Sequence, residues 1–318
     1  MTAMPAIVLA ALLWGTTGTA ATLLPGDVSP LATGAATMGV GGLLLALTAP
    51  RATVAVLRGG ASAWRRILPG ALAVAAYPLA FYSSMSLAGV AIGNVVALGT
   101  APVFAALLER FVVTRGTGRP LDRRWALSAG AAVLGVVLLV GGGAGHGAAD
   151  GGAAVAGPLG TTTGADADLL AGIALGLLAG LAYAVYTDTA GRLMRDGHPS
   201  RGSMAAQFGV GALLLLPVLL LTGAPLLQST ASVGVAAYLA LGPMFLAYLA
   251  FGRGLRTVTG SRATTVTLLE PVVATLLAVL VVGERLSPLG WLGVALVLAG
   301  VVAVAVARPG RSRLESRA

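Results

Sequence analysis

Ten apolar runs, each close to the length that crosses a bilayer, constrain this chain more than any other feature. A bilayer core is roughly 30 Å thick and a helix rises 1.5 Å per residue, so about 17–25 apolar residues make one span. The runs predict helices at Pro5–Leu24, Leu31–Ala49, Ile67–Leu87, Ala91–Val113, Trp125–Gly142, Leu169–Ala190, Met204–Leu221, Val233–Phe251, Ala263–Val282 and Gly290–Ala307. Turn residues punctuate them at Pro25-Gly26, Ser29-Pro30, Gly223-Ala224-Pro225 and Ser287-Pro288. The composition agrees: 57% of 318 residues are hydrophobic and only 10% are charged, against roughly 25% charged in a soluble domain. The expected fold class is an all-α integral membrane protein with ten transmembrane helices.

Arginine supplies all 20 basic residues, since the chain has no lysine. With the N-terminus placed in the cytoplasm, nineteen arginines fall on the inner side, and only Arg285, beside Glu284, falls outside. This distribution satisfies the positive-inside rule. The formal charge of +9 is therefore a topology signal, and no nucleic-acid partner is expected. The expected location is the cell (plasma or inner) membrane, with both termini cytoplasmic. The first apolar run starts at Pro5 without a basic segment before it, which argues against a cleaved signal peptide.

The stretch Ala263–Glu284 is apolar apart from threonines and one carboxylate at depth, Glu270, followed by Pro271. An ionisable group inside a bilayer is costly and is a functional-site candidate by default. Pro271 cannot donate to the carbonyl of Thr267, so the turn is loosened beside the carboxylate. Charged groups next to loosened backbone occur at the midplane sites of carriers. The plainer alternative is a neutral Glu270 that donates to the freed carbonyl and serves packing.

The two halves are related. An offset of 169 residues places Pro102 on Pro271, Leu107-Leu108 on Leu276-Leu277, Trp14 on Tyr183, Gly42 on Gly211 and Tyr82 on Phe251. Five helices per copy make the copies inverted with respect to each other, as in secondary transporters. The expected organisation is a first repeat over 1–143, a flexible external linker over 144–168, a second repeat over 169–307 and a basic cytoplasmic tail over 308–318. Glu270 has Ala101 as its counterpart, so the cavity would hold one carboxylate rather than two.

Ala11-Leu12-Leu13-Trp14-Gly15, the run Ala101-Pro102-Val103-Phe104 through Leu108, and Leu269-Glu270-Pro271-Val272 through Gly283-Glu284 resemble motifs of EamA-type permeases of the drug/metabolite transporter superfamily. Gly290-Trp291-Leu292-Gly293 and Ala299-Gly300 extend the likeness, which covers both halves. It departs from the pattern at Thr114 and Arg115, which stand in the first half where the second has Gly283 and Glu284. The resemblance implies a ten-helix carrier, often an exporter of amino acids, metabolites or drugs.

Several other chemistries lack their residues. There is no cysteine, no H-x-x-x-H pair, no phosphate loop and no nucleophile elbow; His146 and His198 lie in loops. No metal, cofactor or catalytic residue is expected. The expected function is secondary transport of a small organic molecule by alternating access, in the direction of export, with protons as an optional coupling partner. The expected cavity residues are Trp14, Tyr82, Tyr183, Tyr248, Thr267 and Glu270, with helix breaks at Pro102 and Pro271. A lipid-modifying membrane enzyme and a non-transporting scaffold are the alternatives. The missing catalytic motifs count against the first, and the buried carboxylate with the repeat counts against the second. Gly172, Gly176 and Gly180 form a small-residue stripe that suits packing within the chain, or a homodimer in place of a monomer. Asp188 and Arg192, four apart, read as an ion pair.

Overall fold

A computed structural model describes residues 3–108, 130, 134–135, 138, 163–254, 269–283 and 285–306. The described residues are helical, with no strand among them. The helices are α1 (Ala3–Gly15), α2 (Thr17–Ala21), α3 (Pro30–Leu47), α4 (Pro50–Leu57), α5 (Gly60–Ala88) and α6 (Val90–Leu108). After these come α7 (Thr163–Arg195), α8 (Ser200–Thr222), α9 (Thr230–Leu239), α10 (Ala247–Gly254), α11 (Leu269–Leu277) and α12 (Pro288–Val306). Two π segments extend them, Ala240–Leu246 joining α9 to α10 and Ala278–Val282 following α11.

Among the described residues, five helices are long and apolar enough to cross a membrane alone, and three shorter apolar helices accompany them. Serines start several of them. Ser29 accepts from the Ala32 amide at 3.1 Å ahead of Pro30, and Ser229 accepts from the Ser232 amide at 3.0 Å. Ser287 does the same for the Gly290 amide at 3.1 Å. Each serine satisfies an N–H that the first helical turn leaves unpaired. Gly89 ends α5 at φ +86°, a conformation that L side chains rarely adopt, and α6 begins at the next residue.

The structure departs from the expected helices in four places. The first span breaks at Thr16, whose hydroxyl donates to the Leu13 carbonyl at 2.7 Å and competes with the helical ladder. The segment between the second and third spans contains the short helix α4. Helix α7 starts at Thr163, so residues 163–168 of the expected linker are helical; residues 144–162 lie outside the described residues. The eighth span carries the π segment around Pro243, which lacks the N–H that an α-helix requires there. The expected fifth span lies mostly outside the described residues, as do Glu109, Arg110, Thr114, Arg115, His146, Thr267 and Glu284.

Helices of the two halves interleave. The main packing pairs are α5 with α7, α3 with α8, and α6 with α7, while α1 packs on α10 and α11. Close approach depends on missing side chains. A Cβ on Gly176 would lie 2.9 Å from Val96 Cγ1, and one on Gly180 would lie 2.7 Å from the Ala97 carbonyl oxygen. The glycine stripe of α7 therefore packs against α5 and α6 of the same chain. Ser84 seals this seam by donating to the Gly172 carbonyl at 2.6 Å. The expected pair forms, with Arg192 2.7 Å from Asp188. Phe208, Leu215, Val74, Met38 and Met244 make the central core.

A carboxylate in an aromatic cavity

Gly15 decides where the first helix can go. A Cβ there would lie 2.6 Å from Val273 Cβ and 3.0 Å from the Glu270 carbonyl oxygen. With hydrogen in that place, α1 lies directly on α11 at the turn carrying Glu270. Trp14, the preceding residue, is thereby brought to the same cavity as the carboxylate.

That cavity has a volume of about 70 Å³. Its wall is drawn from both halves: Trp14 and Thr17 from the first span, Thr37 and Met38 from α3, and Tyr77, Pro78, Phe81 and Tyr82 from α5. Tyr183 from α7, Pro243 and Met244 from the π segment, Tyr248 from α10 and Glu270 from α11 complete it. The volume holds several waters, since one needs roughly 10–15 Å³ of such space. Glu270 is half-buried, and among the described residues no arginine pairs with it.

Rings form one connected network along this wall. Phe251 lies 5.3 Å from Trp14, Trp14 lies 5.2 Å from Tyr248, and Tyr248 lies 5.2 Å from Phe208. Phe208 meets Tyr186 at 5.5 Å, Tyr186 meets Tyr183 at 5.1 Å, and Tyr183 meets Tyr77 at 6.0 Å. Tyr77 stacks on Phe81 at 5.3 Å, and Phe81 meets Tyr82 edge-on at 5.7 Å. These separations are those of attractive aromatic pairs. Five of the six tyrosines belong to the network.

Three of the phenols in the network have partners. Tyr82 donates to Thr37 Oγ1 at 3.3 Å, and Thr37 donates to the Thr33 carbonyl at 2.8 Å. The Tyr186 and Tyr248 hydroxyls are 3.3 Å apart. Gln207 is fully buried and ties α8 to α7, with its amide 3.0 Å from Thr189 Oγ1 and 3.1 Å from the Tyr186 carbonyl. Asn94 is buried, and its amide nitrogen has no partner among the described residues.

Five of the six expected cavity residues line this one space: Trp14, Tyr82, Tyr183, Tyr248 and Glu270. The sixth, Thr267, lies outside the described residues. Pro102 falls within α6 and Pro271 within α11, neither of which ends there. Tyr77 and Tyr82, five residues apart, would face different ways on a regular helix, yet both line the cavity, flanking Pro78 where α5 loses a backbone bond. Tyr238 and Tyr248, ten residues apart, would share a face of a regular helix. The π segment between them changes the register, so Tyr238 stays 39% exposed and bonds Thr16 Oγ1 at 2.6 Å, while Tyr248 lines the cavity. Thr17, Thr37, Met38, Phe81 and Met244 carry no individual sequence signal for a site. Among the described residues no cluster of His, Asp or Glu could hold a metal ion.

Comparison with known proteins gives a consistent picture. A Bacillus subtilis (strain 168) protein named "Uncharacterized transporter YwfM" is 32% identical over 303 residues, covering 95% of this chain and 93% of that protein. A solved structure described only as "Crystal structure of protein" aligns with a TM-score of 0.63 at 22% identity, covering 96% of each chain, a likeness of fold alone. Residues 1–141 and 170–306 each match the EamA-like transporter family. The chain is a multi-pass membrane protein that belongs to the EamA-like transporter family.

Proposed function

We propose that the chain is a secondary exporter of a small organic molecule bearing a cationic group, bound between Glu270 and the aromatic wall. One observation carries this reading: a carboxylate and a ring network from both halves converge on one cavity within the bundle. A carboxylate favours an amine, and ring faces attract cations and apolar groups. The present volume holds only waters, so substrate entry requires the helices to part, which suits alternating access.

The contact pattern supports an inverted pair of five-helix repeats. The sixth span packs on the third and fourth, and the first packs on the eighth and ninth, so exchanging each of these helices for its counterpart turns one set of contacts into the other. In this reading both termini are cytoplasmic in the cell membrane, and protons couple transport through Glu270. A cysteine at Gly152 then reacts with an impermeant reagent from outside, and one at Gly118 does not. Both positions lie outside the described residues.

The decisive experiment replaces Glu270 by Gln and measures substrate flux in inverted vesicles across a pH series, at matched expression. Glutamine keeps the shape and the hydrogen bonds but cannot titrate or carry charge. Loss of flux supports substrate binding by the carboxylate. Retained flux without pH dependence supports proton coupling. An unchanged rate and pH profile leaves Glu270 a packing residue and removes the proposal.

A further inference from the structure

The short helix α4 has two faces with different work to do. Its Thr53 and Val56 are buried, Val56 in a cluster with Ile67, Leu193 and Ala206. The approach is tight enough that a Cβ on Gly202 of α8 would lie 2.7 Å from the Ala52 carbonyl oxygen. The opposite stripe is exposed: Arg51, Val54, Ala55 and Arg58, at positions i, i+3, i+4 and i+7. These four side chains, with Pro50, line one open cleft.

We propose that this cleft holds the phosphodiester of an anionic phospholipid. Arg51 and Arg58 bound an apolar floor of Val54 and Ala55, their Cα atoms roughly 10 Å apart by the helical rise. Neither arginine has a carboxylate partner among the described residues, where the ion pairs involve Arg66, Arg192 and Arg195. The sequence from Thr48 to Arg66 contains no acidic residue. Guanidinium groups bind phosphate oxygens through paired N–H donors. The cleft lies where lipid-facing side chains give way to arginines. Leu47 is 70% exposed just before α4, and Leu68 and Leu72 are exposed on α5. Trp64, also exposed, donates to the Leu57 carbonyl at 3.0 Å, an amphipathic ring of the kind found at headgroup level. A lipid supplies both what the arginines need and what Val54 covers. A soluble phosphate supplies only the first.

The test is native mass spectrometry of the purified full chain titrated with phosphatidylglycerol, phosphatidylcholine or free glycerol 3-phosphate. Phosphatidylglycerol should remain bound while phosphatidylcholine and glycerol 3-phosphate do not. The double variant Arg51→Gln/Arg58→Gln should lower phosphatidylglycerol affinity about thirtyfold, as expected when two juxtamembrane cations are lost. The control Arg65→Gln/Arg201→Gln removes two exposed cations outside the cleft and should keep it. Equal retention by the cleft variant, equal binding of phosphatidylcholine, or competition by free glycerol 3-phosphate overturns the proposal. If the cleft variant does not purify, the lipid preference of the unmodified chain and of the control still decides.

Discussion

Two seams of this bundle occupy corresponding places in the halves and are built differently. Where α7 meets α5 and α6, Gly172, Gly176 and Gly180 bring backbones together, and Ser84 bonds across them. Where α1 meets α10 and α11, a single glycine, Gly15, makes the approach, and beside it the seam opens into a cavity walled by Trp14, Tyr248 and Glu270. One seam is close-packed, so any added volume must displace backbone or short side chains. The other holds polar and aromatic groups around free space. Corresponding positions have thus been divided between a close-packed seam and an open cavity.

The largest expected effect comes from filling the closed seam. Gly180→Leu drives a side chain into Thr100 and the Ala97 carbonyl. It should destabilise the bundle by about 3 kcal/mol, the upper part of the range for overpacking. Its readout is loss of monodisperse protein and a lowered unfolding temperature in detergent. Gly15→Ala tests the open seam. It forces a methyl group onto Val273 and should cost about 1–2 kcal/mol, with transport falling further than stability because the displaced turn carries Glu270. Val273→Gly in the same chain, which removes both Val273 atoms that the new methyl group would meet, should restore flux. Failure of that rescue would mean that Gly15 serves something other than this contact.

Smaller effects sharpen the comparison within the site. Trp14→Ala and Tyr183→Ala remove corresponding rings from opposite walls. Each should raise the KM for a cationic substrate by roughly fivefold, consistent with about 1 kcal/mol per ring contact. Unequal effects would show which half dominates binding. Tyr82→Phe is the mildest change. It removes the donor to Thr37 at 3.3 Å, while Thr37 keeps its bond to Thr33, and should cost about 0.5–1 kcal/mol, read as a small drop in unfolding temperature with flux intact.

Much of this was legible in the sequence because a bilayer simplifies the code. Length and apolarity located the apolar helices among the described residues, and Asp188 with Arg192 read directly as a pair. The offset of 169 residues pairs Trp14 with Tyr183, and both line the cavity. What escaped depends on departures from the ideal helix. Regular spacing would turn Tyr77 away from the face of Tyr82, but Pro78 disturbs α5 at that point. The same arithmetic would place Tyr238 and Tyr248 together, and it fails across a π segment. Thr37 and Met244 reach the cavity through packing between distant helices, and no local pattern encodes that. The prolines were the available clue: Pro78 and Pro243 both line the cavity.

The glycine seams also bear on how the molecule is made. The chain contains 46 glycines, and glycine in a helix interior costs about 1 kcal/mol relative to alanine in water. Segments such as α7 are therefore poor helices on their own. Lipid reverses the balance, because an unpaired backbone group in hydrocarbon costs more than the glycine does. Secondary structure thus belongs to the insertion step, and the seams can form only afterwards, when finished helices meet side by side. A detergent harsh enough to part the helices should abolish the seams while leaving far-UV helicity largely intact.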